Sequence, residues 1–205
     1  MEQYPIPLGE HWFEEEIKAS RFITYLCHCD SPEQMKLVLT NVKVLYPGAS
    51  HYCWAYLAGA PDNGVDMGSS DDGEPSGSAG RPMLATLQGA GVGEIAAVVV
   101  RYYGGTKLGV GGLVRAYTSG IKKLLADLPT QIKALKYPAK LSCSYPQLGD
   151  IEYLLGKYEA EITHRDFGAE VVLCVRLPKA ALAGLNAELA TLTQGQIQIR
   201  FQEGE

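Results

Sequence analysis

The sequence predicts an α+β chain of two domains, residues 1–129 and 130–205, and four observations predict it. A length of 205 residues exceeds what one hydrophobic core usually organises. The last third reads strand, helix, strand, strand, helix, strand. Pro129-Thr130 separates that run from a long helical pattern before it. A hydrophobic share of 46% with 20% charged residues is that of an ordinary globular protein.

The first domain opens with two strand-like segments, from about Trp12 to Ala19 and from Ser20 to Cys29. Ser31-Pro32-Glu33-Gln34 then starts a helix: serine caps, proline suits the first turn, and Gln34 completes a capping box. Met35, Val38, Leu39, Val42 and Leu45 form its apolar stripe, and Pro47-Gly48 stops it. A strand follows from His51 to Ala58. Residues 59–80 lack periodicity and are long for a loop, with an extended hairpin allowed around Asn63-Gly64. A short helix near Ser78 turns Met83, Leu84 and Leu87 inward. Ile95 to Tyr103 reads as a strand buried on both faces. It runs into a glycine-rich segment, Gly104 to Gly112, and a helix leaves with Val114, Tyr117, Ile121 and Leu124 on its apolar side.

In the second domain the strands are expected at 132–144, 161–166, 169–177 and 196–202, with helices at 145–156 and 178–192. Asp166-Phe167-Gly168 is the turn between the middle strands. Ile197, Ile199 and Phe201 alternate with Gln198, Arg200 and Gln202, as a half-solvated strand requires. The order βαββαβ is the ferredoxin-like pattern.

Composition narrows the function classes. A net charge of -5 excludes indiscriminate adhesion to nucleic acid or anionic membranes, so any phosphate contact must be local. The longest apolar run, Ile95 to Val100, falls far short of the ~20 residues of a membrane span. The acidic first 21 residues read as neither a secretory signal nor a transit peptide. Five scattered cysteines fit free thiols in a reducing compartment, and the expected location is the cytoplasm.

Two segments carry candidate chemistry. At the first, Gly104, Gly105, Gly109, Gly111 and Gly112 follow a buried strand and open a helix, whose first amides lack intrahelical partners and can meet an anion. Arg101, Lys107 and Arg115 add positive charge. No Gly-Lys-Ser/Thr ends the loop, so it is not a Walker A sequence. Tight packing of helix on sheet is the alternative use of such glycines. At the second, Ser78 is the expected helix cap, with Gly80 and Arg81 in the first turn. Asp71, Asp72 and Glu74 precede it. They either hold magnesium against a phosphate or, the preferred reading, bind backbone amides in a tight loop. Cys27, Cys29, His51 and Cys53 suggest zinc, but strand alternation separates His28 from its flanking cysteines and breaks a four-ligand cluster. Tyr52, Trp54 and Tyr56 share a strand face and read as core.

Four stretches resemble one family: Lys18-Ala19-Ser20-Arg21-Phe22, His51-Tyr52-Cys53-Trp54-Ala55, SSDDGEPSGSAGRPML at 69–84 and VVVRYYGGTKLGVGGLVRAY at 98–117. They are similar to the YigZ/IMPACT family, in its bacterial YigZ branch, over essentially the whole chain. Ala19 stands where lysine is frequent. The resemblance implies a left-handed βαβ first domain like domain IV of elongation factor G and the GHMP kinases. It implies a ferredoxin-like second domain like domain V. Those elongation-factor domains meet ribosomal RNA, and eukaryotic members act in the control of translation initiation. The expected function is therefore a non-enzymatic, translation-related regulator that binds RNA or a ribosomal surface, with no cofactor. A magnesium-dependent enzyme or sensor of a small phosphorylated ligand is one alternative. A protein-binding module acting through the second domain is the other.

Overall fold

The structure is a computed structural model and describes residues 2–62 and 66–202. It is mixed α+β, and the chain divides into two compact units, Gln3–Lys133 and Ala134 onward. None of the described helices is long and apolar enough to cross a membrane.

The first unit is built on a five-stranded sheet of β2 (Glu10–Ile17), β3 (Ser20–His28), β4 (His51–Leu57), β5 (Met67–Ser70) and β6 (Ile95–Tyr102), in the order β2-β3-β6-β4-β5. Every neighbouring pair is antiparallel. β3 and β4 therefore run parallel to each other on either side of β6, joined by α1 (Pro32–Leu45). β6 is buried along Ile95–Arg101 because helices cover both faces. Ile95, Ala97 and Val99 pack with Met83 and Leu87 of α2 (Gly80–Gln88) and Leu113, Tyr117 and Ile121 of α3 (Val110–Ala126). Ala96, Val98 and Val100 pack with Met35, Val38 and Val42 of α1. Tyr52, Trp54 and Tyr56 lie on this second face, the expected apolar setting.

Local chemistry explains most boundaries. Ser31 Oγ accepts from the Gln34 amide at 3.3 Å, and Pro32 occupies the first turn. The Gln34 side chain returns to the amide of Asp30 at 2.8 Å, one residue before the position a capping box uses. The turn at Asn63-Gly64 lies outside the described residues, while β4 and β5 on either side of it pair from Trp54/Ser70 to Leu57/Met67. β1 (Gln3–Pro7) has no counterpart in the sequence reading. It pairs with β7 (Thr130–Ala134), which splits the long strand expected from residue 132. Buried Glu94 joins this ribbon to the main sheet, accepting from Tyr4 Oη at 2.8 Å, His28 Nε2 at 2.7 Å and Lys133 Nζ at 2.6 Å.

The second unit contains β8 (Lys136–Cys143), α4 (Leu148–Lys157), β9 (Glu161–Phe167), β10 (Val171–Pro178), α5 (Ala181–Thr193) and β11 (Arg200–Phe201). The sheet order β11-β8-β10-β9, all antiparallel, is the βαββαβ arrangement that sequence periodicity indicates. Its core sets Leu141, Leu173, Val175 and Leu177 against Ile151, Leu155, Leu185 and Leu189. The final strand is only two residues long, although Ile199 is fully buried as its alternation demands.

Candidate functional site

Cross-strand register assembles the first half of the site. Phe22 of β3, Arg101 of β6 and His51 of β4 lie opposite one another in a single row. Alternation along β6 turns that row toward α2 and α3, because Val99 and Ala97, two and four residues back, are core on that side. Arg101 is consequently buried, its side chain 5% exposed. Its guanidinium carbon lies 5.4 Å from the Phe22 ring centre and 5.2 Å from that of Tyr103, a cation–π arrangement with two rings.

A buried guanidinium needs a counter-charge, and residues 71–74 deliver one. Glu74 Oε1 accepts from Arg101 Nη1 and, at 2.7 Å, from Tyr117 Oη. Arg101 Nη2 donates to Ser20 Oγ at 3.3 Å, while Arg101 Nε is buried with no partner among the described residues. Burial, with the neighbouring Cys53 and Glu74, drives the Tyr117 hydroxyl far above the ordinary phenol range, so it stays a donor. Cys53 donates to the Asp71 carbonyl at 3.0 Å, and burial pushes its thiol up to about 12. At neutral pH it is protonated and a poor nucleophile.

The acidic loop is turned inward. Asp71 Oδ1 accepts from the amides of Ala79 and Gly80 at 3.0 and 2.8 Å, and Oδ2 from Gly77 at 2.8 Å. Burial alone would raise this carboxyl, but the three amides and the Arg81 charge outweigh it and hold it below the usual range. Asp72 Oδ2 accepts from the Tyr52 amide at 2.6 Å. Asp71 and Asp72 thus bind backbone amides, whereas Glu74 instead meets the side chains of Arg101 and Tyr117, and the three carboxylates do not converge on a magnesium position. Among the described residues no three His, Cys, Asp or Glu side chains gather as metal ligands.

Ser78 is not the cap of α2. Its hydroxyl donates to the Pro75 carbonyl at 2.6 Å, and the residue at the cap position is Ala79. The helix entrance is occupied by Asp71, eight positions before Ala79 in the sequence, which closes it to an external anion. Gly80 is required there by contact: a Cβ would lie 2.7 Å from the Ser70 backbone. Arg81 is exposed.

The entrance of α3 differs. Its cap, Gly109 (φ 73°), supplies no side chain, and among the described residues no side chain caps the helix. Gly109 has open space beside it, a Cβ at Gly111 would meet only the end of the Arg115 side chain at 4.0 Å, and Lys107 and Arg115 are exposed. Gly105 also takes a positive φ of 86°. Gly104 has a packing role: its amide donates to Ser20 Oγ at 3.2 Å, and a Cβ would meet the Ala19 carbonyl oxygen at 1.8 Å. Gly112 fits tightly against Leu108. Beside this entrance is a hollow of about 570 Å³, bounded by His51, Glu74, Arg101, Tyr103, Lys107 and the first turn of α3. A smaller hollow of about 330 Å³, on the other side of Leu108, is lined by Lys18 and Arg115. Arg101, Gly109 and Lys107 thus share one site, whereas Ser78 and Gly80 belong to the closed entrance. His51 and Tyr103 were not among the expected site residues, although the pairing of β4 with β6 puts His51 opposite Arg101.

Comparison with known proteins agrees with this architecture. Residues 18–125 match the Impact N-terminal domain, and residues 141–196 match a domain of unknown function (DUF1949). The chain is 49% identical over 199 residues to "IMPACT family member YigZ" of Escherichia coli (strain K12), covering 97% of this chain and 98% of that protein. It is 32% identical to "IMPACT family member YvyE" of Bacillus subtilis (strain 168), covering 96% and 88%. A solved structure described as a crystal structure of a hypothetical protein superposes with a TM-score of 0.90 at 49% identity, over 100% of both chains. Two domain matches in tandem and full-length relatives place the chain in the YigZ/IMPACT family.

Proposed function

We propose that this protein is a non-enzymatic, translation-related regulator whose first unit binds RNA or a ribosomal surface at the α3 entrance. The observation that carries the reading is an uncapped, exposed helix start surrounded by exposed Lys18, Lys107 and Arg115. Main-chain amides and helix polarity favour an anion there, and the three cations localise attraction on a chain of net charge -5. Arg101 contributes by shaping the floor of the site, since Glu74 already neutralises it. The family's likeness to elongation-factor domains that meet ribosomal RNA supports the choice of partner, as it supports a left-handed crossover in the first unit.

Three phosphate contacts predict a log–log salt slope of roughly 2 to 3. Fluorescence anisotropy with structured RNA at rising potassium chloride measures it. The triple variant Lys18→Ala/Lys107→Ala/Arg115→Ala is expected to abolish most of the slope. Undetectable binding at low salt, or binding indifferent to salt, removes the proposal.

A further inference from the structure

The hollow beside the α3 entrance is larger and less polar than a phosphate alone requires. A volume of about 570 Å³ lies in the range of small-molecule sites. Its charges are graded from one end to the other. At the floor Arg101 and Glu74 cancel, and Lys107 and the amino end of α3 leave the rim positive. Pro75, Leu108, Val110 and Leu113 make the remaining wall apolar. The Tyr103 ring is half exposed, and the Arg101 guanidinium lies against it, which fixes a flat surface at the edge of the hollow.

Two polar side chains stand in this lining. Arg101 Nε is buried and unpartnered, on a side chain that forms part of the lining. His51 Nδ1 lies 2.8 Å from the Asp72 carbonyl, an oxygen that only accepts, so this nitrogen carries the proton. The other ring nitrogen, Nε2, lies 3.9 Å from Glu74 Oε1, within the same lining. The hollow therefore combines an anion-binding rim, a flat aromatic face, an apolar wall and a polar imidazole edge.

We propose that this hollow holds one nucleotide, with its phosphate at the α3 entrance beside Lys107 and its base against Tyr103 and the apolar wall. The polar edge of the base hydrogen-bonds with His51 Nε2. This deepens the RNA-binding reading and rests on its assignment of the α3 entrance to a phosphate. Two sources share the chemistry, a free mononucleotide and an unpaired nucleotide of an RNA strand. A fully paired duplex has no base to offer.

Isothermal titration calorimetry of the full chain with mononucleotides, single-stranded oligonucleotides, duplex RNA and inorganic phosphate tests this. Binding of a mononucleotide or a single strand in clear preference to duplex and phosphate is expected, and the tighter of the two identifies the source. Tyr103→Ala is expected to weaken it about tenfold, the order of a lost base–aromatic stack. Val110→Trp fills the hollow from an exposed position and is expected to abolish binding without altering the melting temperature. Preference for duplex, equal binding of inorganic phosphate and nucleotide, or affinity untouched by Val110→Trp overturns the proposal. In the last case a salt-dependent RNA interaction would survive alone. Mononucleotide binding without any RNA binding upholds the hollow and removes the RNA reading.

Discussion

Arg101 and Glu74 are 27 positions apart in sequence and nearly inaccessible, so each depends on the other for its charge to be tolerated. Removing one member of such a pair leaves the other buried and uncompensated, at a cost of about 3–5 kcal/mol. Glu74→Ala is expected to destabilise the first unit by that order in urea unfolding. Glu74→Gln should cost less, because a side-chain oxygen still meets Tyr117 and Arg101. Equal stability of Glu74→Ala and the parent protein would show that the pair contributes nothing. The sequence makes the positive charge of Arg101 plain but not its direction. Ile95 to Val100 is apolar throughout, so alternation alone does not tell which face of β6 Arg101 occupies. Its partner comes from an aperiodic loop that no local pattern connects to that strand.

At the scale of elements, α1 was readable because all its signals are local: a serine, a proline, a stripe at helical spacing and a Pro-Gly stop. The start of α2 was not. Its cap is Asp71, delivered by the preceding loop, and the nearby Ser78 satisfies the local rule while its hydroxyl serves Pro75. The Asp71 carboxyl, set low by the amides of Gly77, Ala79 and Gly80, gives the element a pH dependence of definite sign. A carboxyl with a depressed folded-state pKa contributes fully above its unfolded value, near 4, and loses that contribution as pH falls through the folded value. The buried Glu94 carboxyl has the same sign: burial raises it, and Lys133, His28 and Tyr4 outweigh that. Stability is therefore expected to decline below about pH 4. Asp71→Asn should be less stable at neutral pH by roughly 1–2 kcal/mol, as for a lost cap, and the gap should narrow in acid. Chemical denaturation of both proteins between pH 2 and pH 7 (about the span of carboxylate titration) checks it, and a constant gap would contradict the assignment.

For the whole molecule, tandem domains were legible from length and element order, and the second unit most fully, since its pattern of alternating strands and striped helices repeats a known order. The β1–β7 ribbon escaped because both strands are five residues long and neither alternates clearly. The second unit has a complete sheet and a core of its own. An isolated segment from residue 134 is accordingly expected to unfold cooperatively in urea, with a single sigmoidal loss of circular dichroism. A gradual, featureless loss would mean that this core is insufficient alone.

The tip of the β2–β3 hairpin carries Lys18 and Ala19, both with positive φ and neither a glycine, at a cost of about 1–2 kcal/mol per residue. Its carbonyl at Ala19 occupies the space that Gly104 leaves vacant, so tip and loop interlock like a latch and its catch. A molecule that draws the glycine loop toward itself must also drag the hairpin tip. Two places far apart in sequence are thus held together by contact.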